Sequence, residues 1–236
     1  MTTTLITGGN KGLGFEAGRQ LLAAGHTVYL ASRDAERGRR AAALLGARTV
    51  QLDVTRDESV EAAVRAIEAD GGLDVLVNNA GIAPEWRKDN SVVGAAELTA
   101  DLMRETFETN VFGVVRVLRA FLPLLERAAN PVVVNVSSGL ASMTRATAVE
   151  PSSHAYPGVA YPASKAAVNM ITVQYAKAFP GMRINAVEPG FTSTDLNGNS
   201  GRQTVEQGAL VIARMAQVGQ DGPTGGYFAA GGALAW

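Results

Sequence analysis

The chain has no cysteine and only two histidines among 236 residues. Disulfides, thiolate nucleophiles and thiolate metal ligands are thereby excluded, and no metal site is expected. Long apolar runs are missing as well, since none approaches the ~20 residues that a membrane-spanning helix needs. Gly8-Gly9 interrupts the first apolar stretch almost at once, so that stretch does not read as a signal peptide. Lys and Arg number 21 against 22 Asp and Glu, which leaves no basic footprint for nucleic acid. These absences fit a cytoplasmic protein with neither membrane nor nucleic-acid partners. With 47% hydrophobic and 18% charged residues, the composition is that of an ordinary globular domain. Asn135-Val136-Ser137 matches a glycosylation sequon, but it directly follows a buried-looking strand and is read as accidental.

What is present is an alternation of short β-branched runs with longer helical stretches. Strands are predicted at 3–7, 27–31, 48–52, 74–78, 132–136, 183–187 and 227–229. Helices are predicted at 15–24, 37–45, 59–69, 102–128, 162–179 and 205–216. The run at 74–78 is continuously apolar, as in a strand buried on both faces of a parallel sheet. No linker or charge block divides the chain, so residues 1–236 are read as one α/β domain. Its predicted architecture is a doubly wound, Rossmann-type parallel sheet of about seven strands with helices on both faces. Ligands of such sheets bind beyond the carboxyl ends of the strands, near the switch point.

The first strand runs into Thr7-Gly8-Gly9-Asn10-Lys11-Gly12-Leu13-Gly14. Glycines let the backbone turn tightly and approach a pyrophosphate, and the following helix offers free N–H groups to it. The spacing of Gly8, Gly12 and Gly14 differs from G-x-G-x-x-G, so the turn counts mainly through its place between first strand and first helix. Where NAD-binding domains carry an acid at the end of strand two, this chain has Leu30-Ala31-Ser32-Arg33-Asp34. Lys11, Arg33 and Arg37 can surround a 2′-phosphate, which favours NADPH (NADP) over NAD. The competing reading makes Arg33 and Arg37 solvated charges at a helix start, with Asp34 as its cap.

Tyr161-Pro162-Ala163-Ser164-Lys165 opens the helix after the fifth strand, and positions i and i+4 share one helix face. A phenol with pKa ~10 is a reluctant base at neutral pH. An ammonium at ~4 Å and an effective ε of ~20 contributes about 4 kcal/mol, or roughly 3 pK units, toward ionisation. The other candidate tyrosines lack the partner: four residues after Tyr156 stands Ala160, and four after Tyr175 stands Phe179.

Taken in order, these motifs resemble the short-chain dehydrogenase/reductase family from end to end. Thr7–Gly14 is similar to its glycine-rich turn, Asp53-Val54 to the pair beside the adenine, and Asn78-Asn79-Ala80-Gly81 to its N-N-A-G. Asn110, Ser138, Tyr161 and Lys165 match its catalytic tetrad. Pro189-Gly190 with Thr192 and Thr194 matches the loop that holds the nicotinamide carboxamide. The resemblance implies that Tyr161 protonates a carbonyl oxygen as hydride reaches its carbon, while Ser138 binds that oxygen. It further implies that Lys165 binds the nicotinamide ribose and that Asn110 positions a water linking the lysine to solvent. Cofactor contacts implied are Gly8, Asn10, Lys11, Gly12, Leu13, Gly14, Arg33, Arg37, Asp53, Val54, Asn79, Ala80, Gly81, Tyr161, Lys165, Pro189, Gly190, Thr192 and Thr194. Ser137 competes for the serine role. Adjacent strand residues face opposite ways, so only one of the two can point at the substrate, and the resemblance favours Ser138.

Asn10, Lys11, Arg33 and Arg37 resemble the NADPH-dependent carbonyl reductase branch in particular. Ser138 and Tyr161 stand further apart here than is usual for the family. The extra residues, around 142–158, are expected to form a loop at the rim of the site. That insert is compatible with a monomer or a homodimer. The substrate pocket is expected to draw on Ser138, Met143, Tyr156 and Phe191, with a short substrate loop at 191–203; Trp86 is as readily ordinary packing. His154 is read as a surface loop residue. The expected function is reduction of a ketone, aldehyde or quinone. The alternatives are an NAD-linked alcohol dehydrogenase and a non-catalytic NADP-sensing protein on the same scaffold.

Overall fold

Eight short extended segments carry the β-branched runs, and a computed structural model of the protein describes residues 2–87, 89–148 and 156–236. The strands are β1 (Thr3–Ile6), β2 (Thr27–Ser32), β3 (Arg48–Gln51), β4 (Val75–Asn78), β5 (Val132–Val136), β6 (Arg183–Val187), β7 (Tyr227–Ala229) and β8 (Gly232–Ala233). They form one sheet in the order β3-β2-β1-β4-β5-β6-β7-β8. Every pairing is parallel except the last, where Phe228 stands opposite Ala233 in an antiparallel turn-back. Seven strands match the sequence expectation and β8 is added to them. Two residues, the first of them glycine, are too short a run for alternation to show.

The helices are α1 (Gly12–Ala23), α2 (Ala35–Leu45), α3 (Asp57–Ala69), α4 (Ala100–Phe107), α5 (Gly113–Leu125), α6 (Met143–Thr147), α7 (Ala160–Ala178) and α8 (Val205–Met215). Side chains alternate across the strands and fill two cores. Leu5, Leu76, Val133 and Ile184 pack beneath α3, α5 and α7 with Ile67, Leu118, Phe121 and Val168. Ile6, Leu30, Val77 and Val134 pack on the other face with Leu21, Ala41 and Ile212. Each fully buried aliphatic side chain contributes roughly 1.5–3 kcal/mol. β4 and β5 are buried at every position, as a strand covered on both faces requires.

The single helix expected at 102–128 is broken. α4 ends at Phe107, a π-helical turn occupies Glu108–Phe112, and α5 resumes at Gly113. One extra residue in the turn offsets the two helices around Asn110. The expected rim loop also differs, because the described part of the insert begins with α6. Ser142 caps that helix by accepting from the Arg145 N–H, and Thr147 Oγ1 donates to the Met143 carbonyl. The rest of the insert, with His154, lies outside the described residues. Asn135 of the apparent sequon is wholly buried, accepting from Asn78 Nδ2 and donating to Thr172 Oγ1. Among the described residues, no helix is long and apolar enough to cross a membrane.

The sheet order reverses between β1 and β4, so the loops leaving those two strands part from each other. The residues singled out by motif lie on those loops and on the ends of β5 and β6.

Candidate active site

The glycine-rich turn is built by its neighbours as much as by itself. Gly8 and Gly12 have φ of +64° and +56°, a region that side chains strongly disfavour. Thr7 Oγ1 accepts from the backbone N–H groups of both Asn79 and Ala80, and Asn79 Nδ2 donates to the carbonyls of Thr7 and Gly8. A Cβ on Gly14 would lie 2.4 Å from Asn79 Nδ2, so this packing exists only with glycine there. The β1 and β4 loops are thus stitched together, and α1 points its N-terminus between them. A cradle of backbone N–H groups with side-chain volume removed fits a pyrophosphate.

Around that cradle the basic residues occupy different situations. Lys11 Nζ forms an ion pair with Asp195 Oδ2 at 2.8 Å, both side chains being more than half exposed. Arg37 lies 3.4 Å from Asp34, whose carboxylate caps α2 by accepting from the N–H groups of Glu36 and Arg37. Arg33 is exposed; against burial, which raises the Asp53 carboxyl, two hydrogen bonds from Thr55 and then the charges of Arg33 and Arg56 hold it below the usual carboxylate range. Val54 is buried beside Asp53, and its carbonyl accepts from Arg116 Nη1. Asn10 and Leu13 sit on the turn and first helical residues as the sequence places them.

Beyond β6, Glu188 Oε1 accepts from the Gly190 N–H and tightens the turn that follows Pro189. Thr192 is buried, with its hydroxyl turned onto the carbonyls of Pro189 and Gly190. Gln203, which no motif flags, donates to both Pro189 O and Thr192 Oγ1. Thr194 caps a short turn over Asp195–Asn197, and its methyl lies 3.7 Å from where a Gly12 Cβ would project. This loop therefore approaches the glycine-rich turn from the opposite side.

The tetrad residues converge where these loops meet. Ser137 is buried and its hydroxyl donates to Asn169 Oδ1 at 2.6 Å, inside the packing beneath α7. Ser138 faces the other way; its Oγ accepts from the Leu140 N–H and lies near enough to the Tyr161 phenol to favour its ionised form. Tyr227 braces this serine from behind, its hydroxyl donating to the Ser138 carbonyl while its ring stacks on Trp236 at 5.2 Å. Lys165 is 4% exposed, and its Nζ donates to the Val136 carbonyl at 2.8 Å, 5.7 Å from the centre of the Tyr161 ring. Asn110 is wholly buried on the π-helical turn. Its Oδ1 accepts from the Ile82 N–H and its Nδ2 donates to Ile82 O and Ser164 Oγ. The amide is spent on protein, so it ties the β4 loop to α7. Gly81 passes so close that a Cβ there would lie 3.4 Å from both Asn110 Oδ1 and Lys165 Nζ.

The electrostatics correct one expectation. The sequence argument has Lys165 drawing the Tyr161 phenol toward neutrality, but the phenol is pushed up to about 12. Burial is the main cause, the nearby Ser138 hydroxyl opposes it, and the charges of Glu188 and Glu85 add to it. Burial also lowers Lys165 to about 8. Water is withdrawn from both groups, and the ammonium is drawn to Val136 O rather than to the phenol oxygen.

The pocket residues are partly gathered. Trp86 stacks on Tyr156 at 6.0 Å and lies 6.5 Å from the Phe191 ring, forming an aromatic row. Met143 stands on α6 with 65% of its surface exposed. Glu85 is the participant that sequence reasoning missed. It is 0% exposed and holds Tyr156 and the start of α7. No local pattern could flag it, since its partners lie more than 70 positions away.

The chain resembles known proteins over nearly its whole length. A family model described as short chain dehydrogenase matches residues 2–205. Short-chain dehydrogenase/reductase 1 of Saponaria officinalis is 33% identical over 279 residues, covering 95% of this chain and 92% of that protein. (+)-Neomenthol dehydrogenase of Capsicum annuum is 30% identical, covering 95% and 94%. The NADPH-bound carbonyl reductase from chicken fatty liver superimposes with a TM-score of 0.85 at 25% identity, covering 100% of this chain and 99% of that one. With the sheet order, the glycine cradle and these matches in agreement, the chain belongs to the short-chain dehydrogenase/reductase family of oxidoreductases.

Proposed function

We propose that this protein is an NADPH-dependent reductase that converts a bulky, apolar ketone, aldehyde or quinone to the alcohol. The observation that carries the reading is the convergence of Ser138, Tyr161 and a buried Lys165, its Nζ 5.7 Å from the Tyr161 ring, at the edge of a cradle suited to a dinucleotide. In this reading the glycine-rich turn and the N-terminus of α1 hold the pyrophosphate. Lys11, Arg33 and Arg37 take the 2′-phosphate, and the loop from Pro189 to Thr194 holds the nicotinamide amide. A bound reduced nicotinamide supplies the hydride.

The chain's own groups do the rest. Ser138 donates to the substrate oxygen and fixes its position. Tyr161, with a pKa of about 12, stays protonated at neutral pH and delivers its proton to that oxygen. This suits reduction, because oxidation requires the phenol to begin as an acceptor. Lys165, with a pKa of about 8, is still largely cationic at pH 7 and offers its charge to the tyrosinate as it forms. Trp86, Tyr156 and Phe191 supply an apolar wall of the kind that ligand sites use. The relatives named above include a neomenthol dehydrogenase and a carbonyl reductase, consistent with a cyclic or aromatic carbonyl substrate. The same reading has the enzyme working in the cytoplasm on a small molecule, as a monomer or homodimer.

The test is NADPH consumption against a panel of aliphatic, alicyclic, aromatic and quinone carbonyls, with NADH run in parallel. Turnover of at least one cyclic or aromatic carbonyl with NADPH preferred is expected. Tighter binding of NADH would move the reading to an NAD-linked dehydrogenase. Tight NADPH binding with no turnover across the panel would favour a cofactor sensor.

A further inference from the structure

The helix that carries Tyr161 and Lys165 has no cap of its own. Val159 stands at its N-cap with no side-chain oxygen to offer, and the first N–H groups of the 19-residue α7 face inward. An uncapped buried end leaves polar groups whose loss of water goes uncompensated. The Glu85 carboxylate fills this gap from the loop after β4. Its Oε2 accepts from the Ala160 N–H at 2.8 Å, and its Oε1 accepts from the Tyr161 N–H at 3.1 Å and from Tyr156 Oη at 2.7 Å. Pro162 has no N–H, and the Ala163 N–H already reaches the Val159 carbonyl. Every N–H of the first turn is thus accounted for, two of them by one side chain.

We infer that Glu85 is a positioning residue for catalysis: it fixes Tyr161 against Ser138 by gripping the backbone of the tyrosine itself. The surroundings are cut to this contact. A Cβ on Gly158 would lie 2.5 Å from Glu85 Oε1 and 2.6 Å from the Tyr156 ring, so the segment entering α7 can pass only as glycine. Glu85 is itself held, because its carbonyl accepts from the Val93 N–H and Trp86 bridges to Val92 across a small loop. Trp86 then stacks on Tyr156, whose hydroxyl Glu85 holds. The carboxylate also lies at the positive end of α7, where an anion is favoured. Loop, pocket wall and catalytic helix are therefore joined through one carboxylate.

The inference rests on Tyr161 as proton donor, and the experiment separates the two claims. In Glu85→Gln the neutral amide oxygen is a weaker acceptor for the Tyr161 N–H and Tyr156 hydroxyl than the carboxylate, and its NH2 group meets the Ala160 N–H donor to donor. Gly158→Ala displaces the carboxylate from the other side and serves if the first variant does not fold. Two readouts are taken for each variant on 15N-labelled protein. The first is the Tyr161 backbone amide proton shift, which reports the carboxylate bond without any turnover. The second is kcat, KM and the NADPH dissociation constant. An upfield move of the Tyr161 amide, with kcat reduced at least tenfold and NADPH affinity within twofold of wild type, is expected. An unmoved amide overturns the inference. So does a moved amide with kcat within twofold of wild type. Tyr161→Phe is run beside them: retained turnover there refutes the proton-donor reading, while the amide shift still decides whether Glu85 holds the helix end.

Discussion

Lys165→Met offers a test of the electrostatics that does not depend on any substrate. Methionine is unbranched and apolar, and it fills nearly the same space. In the folded protein burial lowers the ammonium from 10.5 to about 8. The unfolded chain therefore binds more protons than the folded one between those two values, and wild-type stability rises with pH across that window. A difference of about 2.5 units at 1.36 kcal/mol each amounts to roughly 3 kcal/mol. Below pH 8 the folded protein carries this cost in full, and by pH 10.5 it is gone. Methionine carries none of it at any pH. The variant does lose the hydrogen bond to Val136 O, at about 1–3 kcal/mol, but that loss is independent of pH. The unfolding free energy of the variant relative to wild type should therefore become less favourable by roughly 3 kcal/mol between pH 7 and pH 10.5. Tyr161, at about 12 in the folded protein, stays protonated across this window in both proteins, and the unfolded phenol is common to both, so it cancels. Urea unfolding of the cofactor-free proteins, followed by circular dichroism at several pH values, gives the difference directly. A difference that stays constant over the window would refute the claim that Lys165 is held in a desolvated site.

Further outcomes follow from the same geometry. Arg33→Ala should weaken NADPH binding by about 10- to 100-fold, the worth of one charge-assisted contact, and leave NADH binding within twofold; fluorescence titration reads both. Gly14→Ala forces a Cβ to within 2.4 Å of Asn79 Nδ2 and 2.8 Å of Gly8 O. It should lower stability by roughly 1–3 kcal/mol, seen as a drop in Tm, and abolish measurable cofactor binding. Ser138→Ala should lower kcat on the order of 100-fold with little change in Tm, as loss of a donor to a developing oxyanion does. Ser137→Ala should do the reverse, costing about 1–2 kcal/mol of stability through the buried bond to Asn169 while kcat stays within threefold.

The sheet was largely legible because its signal is local. Runs such as Val132–Val136 are β-branched at all but one position, Asn135, and a parallel sheet buried on both faces favours such runs. The glycine-rich turn and the Tyr161–Lys165 spacing were legible for a similar reason, as each lies within a few residues of chain. What escaped notice depends on distant contacts. The π-helical turn at Glu108–Phe112 contains no glycine or proline to announce a break; it appears where Asn110 reaches back to Ile82. Glu85, between Pro84 and Trp86 in a loop, looks like a solvated charge until α7 is brought against it. The sign of the Tyr161 shift was misjudged because helix spacing gives neighbours, whereas burial is a property of the fold. β8 is invisible in sequence because its partner β7, rather than its own composition, makes it a strand.

The central claim is that Tyr161 delivers the proton while hydride arrives from NADPH. Steady-state reduction of a verified carbonyl by Tyr161→Phe, with NADPH affinity measured on the same preparation, tests it most directly. The account predicts that kcat falls by at least about 1,000-fold, as loss of an acid and of its hydrogen bond to the substrate oxygen requires. NADPH affinity should stay within a few-fold of wild type. A phenylalanine variant that keeps more than a tenth of wild-type turnover would contradict it.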